Sequence, residues 1–166
     1  MNRILATLLA AALAAAAPIT AHAATVRVFR YNGSVCQPAT LADGDLIYGQ
    51  FGVANHDTVA RVVVCPLPTA NAGAATETMT NMATVTIYNR SSTTSLGCTL
   101  EALDTAGNIQ FAQTLSNNTP GAGIQQLLFN PSGRTIQDTW LLICTLPGVQ
   151  NGSYSHVAAI TLTSQF

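Results

Sequence analysis

A run of four large apolar residues leading into a cysteine, Trp140-Leu141-Leu142-Ile143-Cys144, limits the folds open to this chain more than any other stretch. In an extended chain, successive side chains point to opposite faces. Trp140, Leu142 and Cys144 therefore share one face, with Leu141 and Ile143 on the other. Both faces need cover, which is the pattern of a central strand. Thr145-Leu146-Pro147 follows, and proline, with no N–H to donate, is a natural stop for a strand. A second valine-rich run, Ala60 to Cys65, ends in the same way at Pro66-Leu67-Pro68. Four shared residues are too few to establish an internal repeat.

The N-terminus has the layout of a cleaved export signal. Met1-Asn2-Arg3 is a short positive start, Ile4 to Ala17 is apolar, and Ala21-His22-Ala23 places small residues where a signal peptidase reads. The apolar run is shorter than the ~20 residues of a membrane span. No cysteine follows the expected cut, which argues against a lipid anchor. Residues 1–23 are thus expected to be a signal peptide and 24–166 a single domain. Removing 23 of the 166 residues leaves 143, enough for one real core. The absence of lysine and the alanine-rich leader suggest a bacterial, GC-rich genome. The exported part has five arginines and all seven acids, with no basic patch to neutralise phosphates, so nucleic acid is a poor partner.

All four cysteines lie in the exported part, an even number in an oxidising compartment, as a disulfide framework requires. Four cysteines allow three pairings, and sequence alone does not choose among them. The reading adopted is the sequential one, Cys36 with Cys65 and Cys98 with Cys144, each closing a loop of moderate length. Zinc is the rival, but the chain has no C-x-x-C and only two histidines survive processing.

The rest of the exported chain shows short β-branched or aromatic runs between turn residues, with no helical periodicity of useful length. Strands are expected at Val26–Tyr31, Leu46–Val53, Ala60–Cys65, Thr84–Tyr88, Leu96–Ala102, Ile109–Leu115, Ile124–Phe129, Trp140–Cys144 and Val157–Thr163, with Gly49 and Gly52 suggesting bends or close backbone approach within Leu46–Val53. Asn32-Gly33 reads as a tight turn and Asp104 to Asn108 as a hairpin turn. Asn130-Pro131-Ser132-Gly133 reads as a type I turn, and Thr69 to Asn81 as a long surface loop. The expected fold is an all-β, immunoglobulin-like or Greek-key sandwich of about eight or nine short antiparallel strands.

Chemistry-bearing residues are few. His56 and His156 lack a nucleophile motif such as G-x-S-x-G. Asp57, Glu77, Glu101, Asp104 and Asp138 are scattered. Asp43-Gly44-Asp45 is the best metal candidate, since calcium sites gather loop carboxylates, yet it falls short of a calcium-loop series and reads first as a turn. No cofactor is expected. Tyr31, Tyr48, Tyr88 and Tyr154 are available as a sugar-binding surface but are not clustered in sequence. Asn32, Asn89, Asn117 and Asn151 begin N-x-S/T triplets, which matter only in a eukaryotic secretory pathway.

Two resemblances follow from these residues. Cys98 and Cys144, on well-patterned strands, resemble the strand-B to strand-F disulfide of immunoglobulin-like sandwiches. Leu142, however, stands where that family has its corner tyrosine, and Trp140 lies on the cysteine strand itself. The ends of the chain resemble fimbrial subunits assembled by donor-strand exchange. Val26, Val28, Arg30 and the run to Cys36 would form the arm, and Ala158, Ile160, Leu162 and Phe166 the alternating C-terminal strand. A terminal Phe also ends outer-membrane barrels, against which the cysteines and the few interface aromatics argue. The expected function is a secreted, non-catalytic structural, adhesive or binding module in the periplasm, at the cell surface or outside the cell. Its partner would be a second copy or a protein or carbohydrate surface. A strand-exchanged fimbrial subunit and a small secreted hydrolase are the alternatives.

Overall fold

The computed structural model describes residues 26–40, 46–69, 78–117, 119–121, 123–134 and 139–165. The proposed signal peptide, Asp43, Asp45, Glu77, Asp138 and Phe166 lie outside them. Among the described residues there are eleven strands: β1 (Val26–Asn32), β2 (Gln37–Pro38), β3 (Leu46–Gly49), β4 (Gly52–Asn55), β5 (Arg61–Leu67), β6 (Thr78–Asn89), β7 (Gly97–Leu103), β8 (Ile109–Ser116), β9 (Gly123–Phe129), β10 (Thr139–Leu146) and β11 (His156–Gln165). The one helical element is a single 3₁₀ turn, Gly33–Val35, and no helix there is long and apolar enough to cross a membrane.

The strands form two antiparallel sheets. One runs β3-β4-β11-β6-β9, with β1 also on β11; the other runs β2-β5-β10-β7-β8. Val63, Cys65, Leu100, Trp140 and Leu142 of the five-stranded sheet meet Val53, Val85, Ile87, Phe129, Ile160 and Leu162 of the six-stranded sheet in one buried cluster. The sequence pattern explains the layering. β7 and β10 alternate buried and half-buried positions along most of their length, so each contributes one face to the core. β10 is central, paired with β5 on one side and β7 on the other. Trp140 is buried against Phe111, with ring centroids 6.2 Å apart.

The disulfides are Cys36–Cys65 and Cys98–Cys144, the expected pairing, but they do not join the sheets. Cys144 sits directly opposite Cys98 on the neighbouring strand β7. β2 pairs with β5 through Gln37 opposite Val64, which brings Cys36 to Cys65 one step further along the ladder. Both bridges therefore staple adjacent strands within the five-stranded sheet. The correspondence with the strand-B to strand-F bridge fails, because in-register alternation sends both sulfurs of a pair to the same core-facing side of one sheet.

Other differences are local. Leu46–Val53 is not one strand but a hairpin, β3 and β4, because Gly52 adopts φ +102° after a two-residue tip, Gln50-Phe51. A side chain at Gly52 or Gly33 would strike the Val157 carbonyl oxygen at 1.9 Å. β6 begins at Thr78, inside the expected loop. Asn32 does not make a tight turn; its side chain caps the 3₁₀ turn by accepting from the Ser34 N–H, and the chain crosses between sheets there. The turn after β9 lies one residue later than expected. The Arg134 N–H donates to the Pro131 carbonyl, and Gly133, at φ +78°, takes the third place that a type II turn reserves for glycine. In β1, Val26, Val28 and Arg30 face solvent while Phe29 and Tyr31 pack on the core. The Asp104 turn is as expected. Its carboxylate accepts from the Ala106 and Asn108 N–H groups, and those bonds, Asn108 first, hold it below the usual carboxylate range.

Candidate functional site

The outer face of the six-stranded sheet carries a row of side chains that crosses five strands. Ile47 is opposite Ala54, Ala54 opposite His156, His156 opposite Tyr88, and Tyr88 opposite Ile124. Directly opposed side chains in a sheet are neighbours, so residues far apart in sequence lie side by side. The Tyr88 and His156 rings are 5.0 Å apart, and His156 lies 6.3 Å from Tyr154. Tyr154 stacks on His56 at 4.5 Å. On the far side, the Arg90 guanidinium lies 4.9 Å from the Tyr88 ring centroid, and its Nε–H donates to the Tyr88 hydroxyl.

Local chemistry explains the placement. Tyr88-Asn89-Arg90 and Tyr154-Ser155-His156 each alternate outward, inward, outward. The inward residues, Asn89 and Ser155, are buried and bonded to each other, the Ser155 hydroxyl donating to Asn89 Oδ1 at 2.7 Å. The Arg90 N–H donates to the same hydroxyl, and the Asn55 N–H donates to the Ser155 carbonyl. Asn89 Nδ2 is also satisfied, by Asn117 Oδ1 and the Thr94 carbonyl. A fully satisfied polar network of this kind rigidifies what it joins. Ser155 is thus clamped between β4 and β6, and its two neighbours are presented outward from a fixed base.

The loops bearing His56 and Tyr154 are fastened to each other. Asn55 Nδ2 donates to the carbonyls of Val59, Leu146 and Pro147. The Val149 N–H donates to the Asp57 carbonyl at 2.7 Å. Gly148 sits where a Cβ would meet the Thr58 oxygen at 2.1 Å, so only glycine allows that approach. Asn151-Gly152, both at positive φ, form a two-residue tip closed by reciprocal Gln150–Ser153 bonds, the geometry favoured by Asn-Gly hairpins. This tip aims Tyr154 at His56.

Beside this cluster is a shallow cleft of about 120 Å³, lined by Ile47, Phe51, Ala54, His56, Tyr154 and His156 together with Gly49 and Gly52. Phe51, at the β3–β4 tip, is 71% exposed, Ile47 51% and Tyr154 40%. Burial, and secondarily the charge of Arg90, holds the His156 pKa below its ordinary 6.5. Neither imidazole hydrogen-bonds a serine hydroxyl or a carboxylate among the described residues. Asp57, next to His56, turns away to pair with Arg61, which holds its carboxyl below the usual range.

Of the residues singled out in the sequence, His56, His156, Tyr88 and Tyr154 come together here. Tyr48 and Tyr31 do not join them; the Tyr31 hydroxyl donates to the Pro68 carbonyl. Glu101 is half-buried on β7, and no group of three or more metal-ligating side chains occurs among the described residues. Sequence reasoning missed Phe51 and Arg90. The two outward-inward-outward triplets were the available signal for Arg90; Phe51 had none while Leu46–Val53 was read as one strand.

No protein-family model matches this chain, and no curated protein does. Among solved structures, it is similar to a family two carbohydrate esterase from Cellvibrio japonicus, at 7% identity and TM-score 0.45 over 87% of this chain and 36% of that one. It is similar to dimeric latent PorU from Porphyromonas gingivalis, at 16% identity and TM-score 0.42 over 86% of this chain and 13% of that one. It is also similar to a structure of infectious bursal disease virus, Gx strain, at 16% identity and TM-score 0.45 over 86% of this chain and 32% of that one. The chain thus spans between 13% and 36% of the length of these three, and no residue role comes from them.

Proposed function

We propose that this protein is a secreted, non-catalytic β-sandwich that serves as a structural or binding module outside the cytoplasm, and that it binds through the outer face of its six-stranded sheet. The observation that carries the reading is the row Ile47–Ala54–His156–Tyr88–Ile124, with Tyr154 and Phe51 beside it. Single exposed apolar residues are ordinary, whereas apolar and aromatic residues gathered on one face mark interaction sites. Aromatic rings add contact area at low cost in conformational entropy. The Asn89–Ser155 clamp prepays the ordering of the loops, so less affinity is lost on binding.

The test is binding of the exported chain to arrays of polysaccharides and cell-surface proteins, beside a Phe51→Ser/Tyr154→Ala double variant. Binding by the wild type and its loss in a variant of unchanged thermal midpoint is the expected result. Hydrolysis of an ester, glycoside or peptide substrate that disappears in His56→Ala or His156→Ala would instead establish the enzyme alternative. For strand-exchange assembly, the strand beside β11 would have to come from a second copy, whereas here the chain's own β1 lies along it from Ala159 to Gln165. We therefore give the self-contained module precedence. Concentration-dependent polymers of the purified chain would reverse that order.

A further inference from the structure

We infer that the ligand of this face is an acidic oligosaccharide, a chain of uronic acid units whose rings lie along the aromatic row and whose carboxylate pairs with Arg90. The inference rests on the binding face proposed above and adds the chemistry of what it takes.

Charge supplies the first argument. The carboxylates among the described residues are Asp57, Glu101 and Asp104. Asp57 is paired with Arg61, Asp104 is bonded within its own turn, and Glu101 belongs to the other sheet. Arg90 therefore has no carboxylate partner among them, yet it is held: its guanidinium lies against Tyr88 and its Nε–H is fixed on the Tyr88 hydroxyl. The terminal N–H groups that remain form a planar fork suited to a carboxylate. His156, 5.0 Å from Tyr88, lines the path from Arg90 to the cleft.

Shape supplies the second. From β3 to β6 the row crosses three strand spacings, ~14 Å, longer than one sugar ring. The cleft offers apolar and aromatic surface at Phe51, Ile47 and Tyr154 for the C–H faces of a sugar, while the imidazoles and tyrosine hydroxyls can bond its hydroxyl groups. An extended peptide fits less well. β4, β11 and β6 are paired on both sides, so their backbone groups are not free to add a strand. A neutral glycan would leave Arg90 without a counter-charge. Arg90 with Arg30, which faces solvent on β1 of the same sheet, makes two cations among the described residues of this face, too few for a nucleic acid.

Titration calorimetry of the exported chain with oligogalacturonate, neutral cellohexaose and polyglutamate tests this. Oligogalacturonate should bind most tightly. Arg90→Gln should weaken it ~10- to 100-fold, the range for losing a charge-assisted bond, and Arg90→Lys should recover only part of that, having charge but no fork. Tyr154→Ala should weaken it several-fold at an unchanged thermal midpoint. Absence of saccharide binding, polyglutamate binding as tightly as the uronate, or an Arg90→Gln variant that binds like the wild type each overturns the inference. The two levels separate cleanly. If cellohexaose is the tighter ligand, lost in Tyr154→Ala and untouched in Arg90→Gln, the face stands and the acidic ligand falls. If uronate binding survives both variants unchanged, the face itself is wrongly placed.

Discussion

β10 and β11 are each the central strand of a sheet, and they are built in opposite ways. β10 runs in unbroken register with both neighbours and sends Trp140, Leu142, Cys144 and Leu146 into the core. β11 has register shifts on its β6 side between Val157 and Ala159 and between Leu162 and Ser164. Its other side is shared, β4 taking His156 and Val157 and β1 taking Ala159 onward. Bulges re-aim side chains and collect near functional positions. In this molecule the regular strand packs the core, and the irregular one carries part of the outward row to which we assign binding. Substitutions in the two strands should accordingly separate stability from binding.

The largest effect is expected on the regular side. Cys144→Ala opens a bridge of sequence separation 46 and should cost ~4 kcal/mol in the chain-entropy account, read from urea unfolding under oxidising conditions. Because Cys98 and Cys144 are both buried and directly opposed, the outer face of the other sheet should keep its ligand affinity wherever the variant is folded.

Gly52→Ala should come next, at ~3 kcal/mol, since it combines a positive φ with a Cβ placed on the Val157 carbonyl. Unlike Cys144→Ala, it should also reduce binding, because that carbonyl follows His156 directly. Equal stability in Gly52→Ala and wild type would show that β4 does not need this close approach.

Asn89→Ala removes the acceptor of the Ser155 hydroxyl and a donor to Asn117. Leaving buried polar groups unmet should cost ~2 kcal/mol. Amide exchange should quicken at Tyr154–His156 while staying slow in β10, and a uniform change across both strands would show that they do not differ in this way.

The smallest effect is a pH dependence, and it belongs to β11 alone, since β10 holds no group that titrates. The folded pKa of His156 is below its ordinary 6.5. Well above pH 6.5 the imidazole is neutral both folded and unfolded and adds nothing. As pH falls below 6.5, the unfolded chain takes up its proton first, so stability declines until the folded pKa is passed and then levels off. Urea midpoints at about pH 7.5 and about pH 5 should show the decline, and His156→Phe should reduce it. A slope unaltered by that substitution would assign the dependence to other groups.

The same contrast explains how much of the molecule was legible in its residues. Trp140 to Cys144 and the valines of β5 are unbroken apolar runs and the Leu96–Leu115 hairpin alternates, so all three could be read directly as strands. The cysteine pairs could not, because sequence leaves three pairings open. β3–β4 was read as a single strand with bends or close approach at Gly49 and Gly52. The close approach at Gly52 is there, but the full reversal depends on its taking a positive φ, which a glycine permits and does not require. Which face of β1 turns inward was not legible, because Val26 and Val28 are as apolar as Phe29 and Tyr31; packing against the core decides between them.

What the sequence by itself determined is the class of the fold and the central place of β10, because alternation and turn chemistry act over a few residues. Of the disulfides it determined only that four cysteines would pair, and the register of β2 on β5 and of β7 on β10 selected the sequential pairs. Tertiary structure alone decided that both bridges lie within one sheet, since strand neighbours are a matter of register between distant segments. It alone brought His56, Tyr88, Arg90, Tyr154 and His156 together, because cross-strand opposition and the Asn89–Ser155 clamp join residues up to 100 positions apart.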